Sequence, residues 1–285
     1  MSLLASSVKH LALAASLALG CSLWLAAQEA PDNSPTSVNT NIATLITISG
    51  AIGPATADYL VRGIESAEEA GSTLIFVVMD TPGGLDSSMR QMIQAILNSS
   101  VPVATYVSPQ GARAASAGTY ILYSSHIAAM APATNLGAAT PVAIGGSGGP
   151  AAAPTEDDDS DTDVIETETE ASDDTSGDET EESDTPALTT AMERKAVNDA
   201  VAYIRSLAER RGRNGDWAER AVRLAESLSA EQALEENVID LVADNLADLV
   251  EQLDGRSVEI NGDDVTLETP GLLIERFEPD WRTQF

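Results

Sequence analysis

The chain has 285 residues, of which 43% are hydrophobic, and this is enough for the core of one or two domains. Its formal net charge is −30, and 16 of the 45 acidic residues lie between Glu156 and Asp184, a stretch without Lys or Arg. Nucleic acid is not an expected partner, because the phosphate backbone would be repelled by so acidic a chain.

The N-terminus has the pattern of an export signal. Lys9 and His10 precede an apolar run, residues 11–27, which is short for a membrane-spanning helix and is followed by polar residues. This favours a signal peptide over residues 1–27, cleaved after Ala27, with an uncleaved anchor as the alternative. Residues 28–40 are polar and are predicted to form a disordered leader.

From residue 41 onward, predicted strands and helices alternate. The predicted strands are Ile42–Ser49, Leu74–Asp80, Val101–Ser108 and Ile127–Met130, and the helices are Pro54–Ala70, Ser87–Leu97 and Ala114–Ser124. Residues 74–79 are continuously apolar, as expected of a strand that is buried on both faces. The alternation predicts an α/β domain with a mainly parallel sheet.

A low-complexity segment then interrupts the domain. Residues 145–187 are first rich in Gly, Ala and Pro and then in Asp, Glu, Ser and Thr, so they cannot bury enough apolar surface to offset the entropy of ordering. We predict a disordered acidic insertion between a first part, 41–144, and a second part, 188–285. The second part is predicted to hold helices at Thr189–Arg211, Asp216–Leu224, Ala230–Glu236 and Leu246–Leu253, a strand at Val238–Val242, and a hairpin across Asn261-Gly262.

Two segments of small residues follow predicted strands. The first is Asp80-Thr-Pro-Gly-Gly84, and the second is the run 111–118, in which Ser116 lies among Ala and Gly near the predicted start of a helix. A helix start leaves backbone N–H groups free, and the two glycines offer further N–H groups on permissive backbone. Donors of both kinds aimed at one point would form an oxyanion hole for a serine nucleophile, Ser116.

These motifs resemble those of known proteases. Thr-Pro-Gly-Gly followed by Ala-Ala-Ser-Ala-Gly is similar to the Clp-type serine peptidases, and Gly-Ala-x-Ala-Ala-Ser-Ala-Gly-Thr-Tyr-Ile with Met-Ala-Pro-Ala-Thr-Asn-Leu-Gly-Ala-Ala-Thr-Pro resembles the NfeD-type membrane serine proteases more closely. The resemblance implies a Clp/crotonase-like spiral fold. It also implies an oxyanion hole formed by the backbone N–H groups of Gly84 and Ala117.

The general base is the open question, because serine needs one to become a nucleophile. The histidines are His10, in the predicted signal, and His126, which is predicted to be structural or at the surface; Ala139 occupies the histidine position of the Clp-type pattern. Lys195 is the single lysine after the predicted signal, and the NfeD-type resemblance places the family's catalytic lysine at this position. A base must be neutral, so Lys195 is expected to be buried among apolar neighbours.

The resemblance therefore implies an exported, membrane-associated and ATP-independent serine endopeptidase with a Ser116–Lys195 dyad. It implies hydrophobic peptide substrates, a stomatin/prohibitin-like membrane partner and a homodimer. The sequence contains no metal-binding cluster, phosphate loop or dinucleotide fingerprint, so no cofactor is expected. The alternatives are a catalytically inactive Clp-like scaffold that regulates a membrane partner, and a crotonase-type acyl-thioester enzyme, which an export signal disfavours.

Overall fold

The structure, a computed structural model, describes residues 41–142 and 191–279, which belong to one compact unit. The predicted signal peptide, leader and acidic insertion lie outside the described residues. Within the two described ranges, no helix combines the length and apolar character needed to cross a membrane.

The centre of the fold is a parallel sheet of six strands. They are β1 (Ile42–Ser49), β2 (Leu74–Asp80), β3 (Val103–Val107), β5 (Ile127–Met130), β8 (Leu241–Val242) and β11 (Leu273–Arg276). Their order across the sheet is β11-β1-β2-β3-β5-β8, and every neighbouring pair is parallel. The predicted mainly parallel α/β fold is therefore confirmed.

Seven helices are described, and they cover both faces of this sheet. They are α1 (Pro54–Glu69), α2 (Asp86–Asn98), α3 (Ala117–Ser124), α4 (Ala191–Arg211), α5 (Gly215–Arg223), α6 (Ala230–Glu235) and α7 (Leu246–Leu253). The apolar residues of α1 to α6 share one core cluster, whereas α7 belongs to a second, smaller cluster on the opposite face.

The strand sequences explain why two clusters exist. Successive side chains of a strand point to opposite faces. In β2, Ile75 and Val77 belong to the larger cluster, and Leu74 and Phe76 belong to the smaller one. All four side chains are at most 2% exposed. A continuously apolar strand is thus the residue pattern that a sheet covered on both faces requires.

A second sheet holds the segment around Ser116. It consists of β4 (Arg113–Ala115), β6 (Asn135–Gly137) and β7 (Ser227–Ser229), in the order β4-β6-β7. β4 and β6 are parallel, whereas β6 and β7 are antiparallel. This sheet therefore joins the first described range to the second beside the predicted nucleophile.

Helix starts in the second described range carry clear local signals. Ser229 and Gln232 form a reciprocal capping box at α6, and the side chain of Asn214 accepts a hydrogen bond from the backbone of Trp217 at α5. Asn261-Gly262 joins β9 (Ser257–Ile260) to β10 (Asp263–Thr266), so the predicted hairpin is confirmed.

Several predicted boundaries are wrong. The helix expected from Ala114 begins at Ala117, because residues 113–115 form β4 instead. The strand expected from Val238 begins at Leu241. Four strands, β4, β6, β7 and β11, have no counterpart among the predicted strands. Each is three or four residues long, too short for alternation to be recognised.

Candidate active site

Ser116 occupies the turn between β4 and α3. It is the N-cap residue of α3, and its backbone has φ 52° and ψ −117°. A non-glycine residue with positive φ stores strain that neighbouring structure must hold in place. The predicted position at the start of a helix is therefore confirmed, with the addition of a strained backbone that a sequence cannot reveal.

Hydrogen bonds from β6 hold this strained turn. The N–H of Ser116 donates to the carbonyl oxygen of Gly137 at 2.9 Å. The hydroxyl of Thr119 donates to the carbonyl oxygens of Ala114, at 2.8 Å, and of Gly137, at 3.1 Å. The side chain of Ser116 makes no capping bond to α3, so its hydroxyl is not used to stabilise the helix.

The Gly83-Gly84 loop packs directly against this turn. A Cβ atom added to Gly83, which has φ 104°, would lie 2.6 Å from the Cβ and 3.1 Å from the Oγ of Ser116. A Cβ atom added to Gly84 would lie 2.0 Å from the carbonyl oxygen of Ile52. Neither position has room for a side chain, so both glycines are required by close approach of the backbone.

A cavity of about 320 Å³ opens over Ser116. Its lining is mainly apolar, and it includes all three residues predicted to form the nucleophile and the oxyanion hole. The lining residues are Gly84, Asp86, Met89, Arg90, Ser116, Ala117, Tyr120, Ala139, Pro141, Val142, Ala200 and Tyr203. Ala117 is the first residue of α3, where an N–H group has no partner within the helix.

One wall of the cavity carries a charged contact between α2 and α4. The guanidinium group of Arg90 binds Asp86 at 2.9 Å and Asp199 at 2.7 Å, and its Cζ lies 4.4 Å from the centre of the Tyr203 ring. Tyr203 also stacks on Tyr120, with ring centres 6.2 Å apart. This contact fixes α4 at the cavity edge.

Lys195 lies on α4, but it does not line the cavity in this structure. It belongs to the first turns of α4, where residues 191–196 are all exposed. The expected burial among apolar neighbours is therefore wrong for the described state. The two residues of α4 that reach the cavity, Ala200 and Tyr203, lie five and eight positions further along the helix.

Neither histidine nor tyrosine offers an alternative base in the described site. His126 follows the opposite end of α3, and its Nδ1 accepts a hydrogen bond from the N–H of Val103 at 3.2 Å. Burial, with the nearby arginines, lowers the pKa of His126 to about 3. Burial raises the pKa of Tyr120, whose hydroxyl donates to the carbonyl oxygen of Ala139. Ala139 does line the cavity, with a methyl group where the Clp-type pattern has histidine.

A family model and several solved structures are similar to this chain. The model of the NfeD1b N-terminal domain matches residues 43–157. A lysine-to-alanine variant of the 1510-N membrane-bound stomatin-specific protease, solved with a substrate peptide, is 32% identical, and the match covers 87% of this chain and 96% of that one, with a TM-score of 0.68. The chain belongs to the NfeD family.

Other NfeD relatives agree. A serine-to-alanine variant of the 1510-N protease is 32% identical over 85% of this chain and 99% of that one, with a TM-score of 0.67. The membrane-bound protease PH1510 of Pyrococcus horikoshii is 33% identical over 85% of this chain, and the membrane protein NfeD1b of Bacillus subtilis is 39% identical over 29% of it. The chain spans 47% of the length of the first and 18% of the second.

The residues that the sequence prediction missed are those of the charged contact. Asp86 and Arg90 are four residues apart on α2, a spacing that predicts a local ion pair. Their link to Asp199 and Tyr203 joins residues more than a hundred positions apart, so no local pattern could reveal it.

Proposed function

We propose that this chain is a serine endopeptidase of the NfeD type, with Ser116 as its nucleophile. The observation that carries the proposal is the strained backbone of Ser116, at the start of α3 and beside the Gly83-Gly84 loop. Strain of this kind persists where surrounding structure enforces it, and it concentrates at functional sites. Here it exposes the serine to a cavity instead of using its hydroxyl as a helix cap.

The backbone N–H groups of Gly84 and Ala117 are proposed as the oxyanion hole. Both residues line the cavity with Ser116, and the start of α3 adds the partial positive charge of a helix N-terminus. As the Ser116 oxygen bonds to the peptide carbonyl carbon, negative charge develops on the carbonyl oxygen. Donors fixed in advance stabilise that charge without further rearrangement.

Lys195 is proposed as the general base. It would accept the proton of the Ser116 hydroxyl and pass it to the leaving amine, and water would then release the acyl group by the same sequence of proton transfers. Lys195 lies about 8 Å along the α4 axis from Ala200, a cavity residue, at 1.5 Å per residue. The first turns of α4 would have to close over the bound substrate to bring the amine to Ser116.

The substrate is proposed to be an extended apolar peptide segment. The cavity is lined mainly by alanine, methionine, tyrosine, proline and valine. The relatives are named as membrane-bound and stomatin-specific, which supports a stomatin-type membrane protein as the partner of this chain. An exported, membrane-associated location, ATP-independent action and a homodimer belong to the same proposal.

The test is labelling of the purified 285-residue chain with a serine-directed phosphonate probe, together with hydrolysis of an apolar peptide. Ser116→Ala should lose both, with an unchanged melting temperature, because alanine is also small. Ser87→Ala is the matched control, since Ser87 is exposed and only one residue from the cavity residue Asp86. Equal hydrolysis by the Ser116→Ala and Ser87→Ala variants would end the assignment of the nucleophile.

One observation favours a second candidate, a catalytically inactive scaffold that uses the cavity to bind a membrane partner. Lys195 is exposed and does not line the cavity. Such a scaffold would bind an apolar peptide without hydrolysing it, and the phosphonate probe would not label Ser116. Binding measured by fluorescence anisotropy, beside hydrolysis of the same peptide, separates the two functions.

A further inference from the structure

A second cavity, of about 450 Å³, lies at the other end of α3. It is enclosed by the end of α4, the start of β5 and the strand β9. The charged and polar groups among its lining residues include His126, Arg210, Arg211, Asp240, Arg256 and Glu259. Its lining is thus dominated by side chains that donate hydrogen bonds.

Each of the two carboxylates in this lining is paired with an arginine other than Arg211 and Arg256. Asp240 binds the buried Arg213 at 2.5 Å and accepts a hydrogen bond from the N–H of Ala128 at 2.7 Å. Glu259 binds Arg210 at 2.6 Å. Two arginines of the lining, Arg211 and Arg256, therefore remain without either carboxylate.

Arg211 and Arg256 are held by carbonyl groups only. The Nε of Arg211 donates to the carbonyl oxygen of Ser124 at 2.8 Å, and the Nε of Arg256 donates to that of Gln252 at 3.0 Å. Neither arginine forms an ion pair with a carboxylate of residues 41–142 or 191–279. Neither guanidinium group is therefore held in a direct ion pair, and the only hydrogen bonds of these two side chains within the described ranges are those of their Nε atoms.

His126 adds a neutral donor to the same lining. Because its Nδ1 accepts a hydrogen bond from Val103, the proton of the neutral ring lies on Nε2. The pKa of Arg211 is lowered to about 10 by burial, with repulsion from Arg213 and Arg210. Glu259 and Asp240 raise the pKa of Arg211, but each has a smaller effect than either of these arginines.

A third cavity, of about 340 Å³, shows that arginines in a cavity need not leave charge uncompensated. Three arginines, Arg205, Arg220 and Arg223, line it. Arg205 binds Asp216 and Glu219, Arg220 binds Glu226 and Glu236, and Arg223 binds Glu219. Every arginine of this third cavity is therefore paired with a carboxylate. The unpaired arginines of the second cavity, Arg211 and Arg256, distinguish it from the third cavity.

We propose that the cavity at Arg211 and Arg256 binds a small organic anion through a phosphate or carboxylate group. A guanidinium group offers paired N–H donors that match the oxygens of either group. A volume of about 450 Å³ fits a small organic molecule, since ligand sites span roughly 300–1,000 Å³. The site is separate from Ser116, and the proposal does not depend on proteolytic activity.

Calorimetric titration of the 285-residue chain with inorganic phosphate and with citrate, at constant ionic strength, tests the proposal. Arg256→Gln should weaken the binding of at least one probe about tenfold, because one charge-assisted contact is lost. Arg256 is exposed, so this substitution should leave the fold intact. Arg205→Gln is the matched control: it removes the same charge from the neutralised cavity and should leave binding unchanged.

A second variant keeps the test decisive. Arg211→Gln should also weaken binding, and circular dichroism would show whether loss of its bond to Ser124 disturbs the fold. Absence of binding heat from both probes at concentrations up to about 50 mM would overturn the proposal, since a built anion site should bind at least one of them more tightly than that. Equal weakening by Arg256→Gln and Arg205→Gln would overturn it as well, because that result is expected if the anion responds only to the net charge of the protein.

Discussion

The two ends of α3 differ in how their backbone groups are used. At the N-terminal end, Ser116 makes no side-chain cap, and Ser116 and Ala117 line a cavity. At the C-terminal end, Arg213 donates to the carbonyl oxygens of Tyr123 and Ser125, and Arg211 donates to that of Ser124. Satisfied groups stabilise a fold, whereas free donors can serve a ligand or a reaction intermediate.

His126 lies at the C-terminal end of α3, where the backbone carbonyl groups have hydrogen-bond donors. A histidine ten residues after a serine invites a catalytic interpretation from sequence alone. The structure places α3 between the two residues, and burial keeps His126 neutral. The N-terminal end of α3 is therefore the end for which we propose a chemical role, and the C-terminal end is the one that is held by arginine side chains. Four experiments test this difference.

The largest expected effect concerns Lys195, the proposed base. Lys195→Arg and Lys195→Ala should each lower kcat for an apolar peptide by about a thousandfold or more, because arginine keeps its proton. His126→Ala should retain most of the activity if it stays folded. Active Lys195→Arg, or inactive but folded His126→Ala, would mean that the two ends have been assigned the wrong roles.

The next largest effect is a loss of stability when Arg213 is removed from the C-terminal end of α3. The side chain of Arg213 is 1% exposed and is paired with Asp240. Arg213→Ala should lower the free energy of unfolding by about 2–4 kcal/mol, since it leaves the half-buried carboxylate of Asp240 without its ion pair and two buried carbonyl groups without their donor. Urea denaturation measures this. Arg223→Ala, at a more exposed ion pair, should cost less than about 1 kcal/mol.

A smaller loss of stability is expected when a side chain is added to Gly84, in the loop beside Ser116. Gly84→Ala should lower the free energy of unfolding by about 1–3 kcal/mol, because the new Cβ would meet the backbone of Ile52. Peptide hydrolysis should fall further than stability does, since Gly84 is a proposed oxyanion donor. Gly215→Ala is the control, because its Cβ would meet only side-chain atoms, at 3.8 Å or more. Equal melting temperatures for the two variants would contradict the close approach.

The smallest effect, when counted per pH unit, is a pH dependence at the C-terminal end of α3. Folding lowers the pKa of His126 from about 6.5 to about 3, so between these values the unfolded chain binds a proton that the folded chain does not. Stability should therefore rise with pH across this window, by up to about 1.4 kcal/mol per pH unit from this group. His126→Gln should show a shallower rise in urea titrations from pH 6.5 to pH 4. An identical slope would show that His126 charges in the folded protein.

The sequence predicted the features that depend on local pattern. The strands β1, β2 and β5 and the helix α7 were placed correctly because continuous apolar runs and helical spacing are local signals. The small residues around Ser116 and the Gly83-Gly84 pair predicted two segments that do meet, because both follow strands of one parallel sheet.

Features that depend on tertiary contact were not predictable in this way. The strand β4 exists because residues 113–115 pair with β6, and no alternation marks it. The contact of Arg90 with Asp199 and Tyr203 needs α2 and α4 side by side. The exposure of Lys195 was missed because its burial was expected from its role as a base and not from the spacing of apolar residues on α4.

The strand order has a consequence for how the chain could be divided. The four central strands of the main sheet, β1, β2, β3 and β5, come from residues 42–130, whereas its two edges, β11 and β8, come from the second described range. The pairing of β6 with β7 adds a third join. If the chain were cut between residues 142 and 191, the second fragment would supply the strand at each edge of the sheet, and the first fragment would supply the four strands between them. Separately expressed fragments should recombine as a split protein, with each half acting as the template on which the other completes its fold.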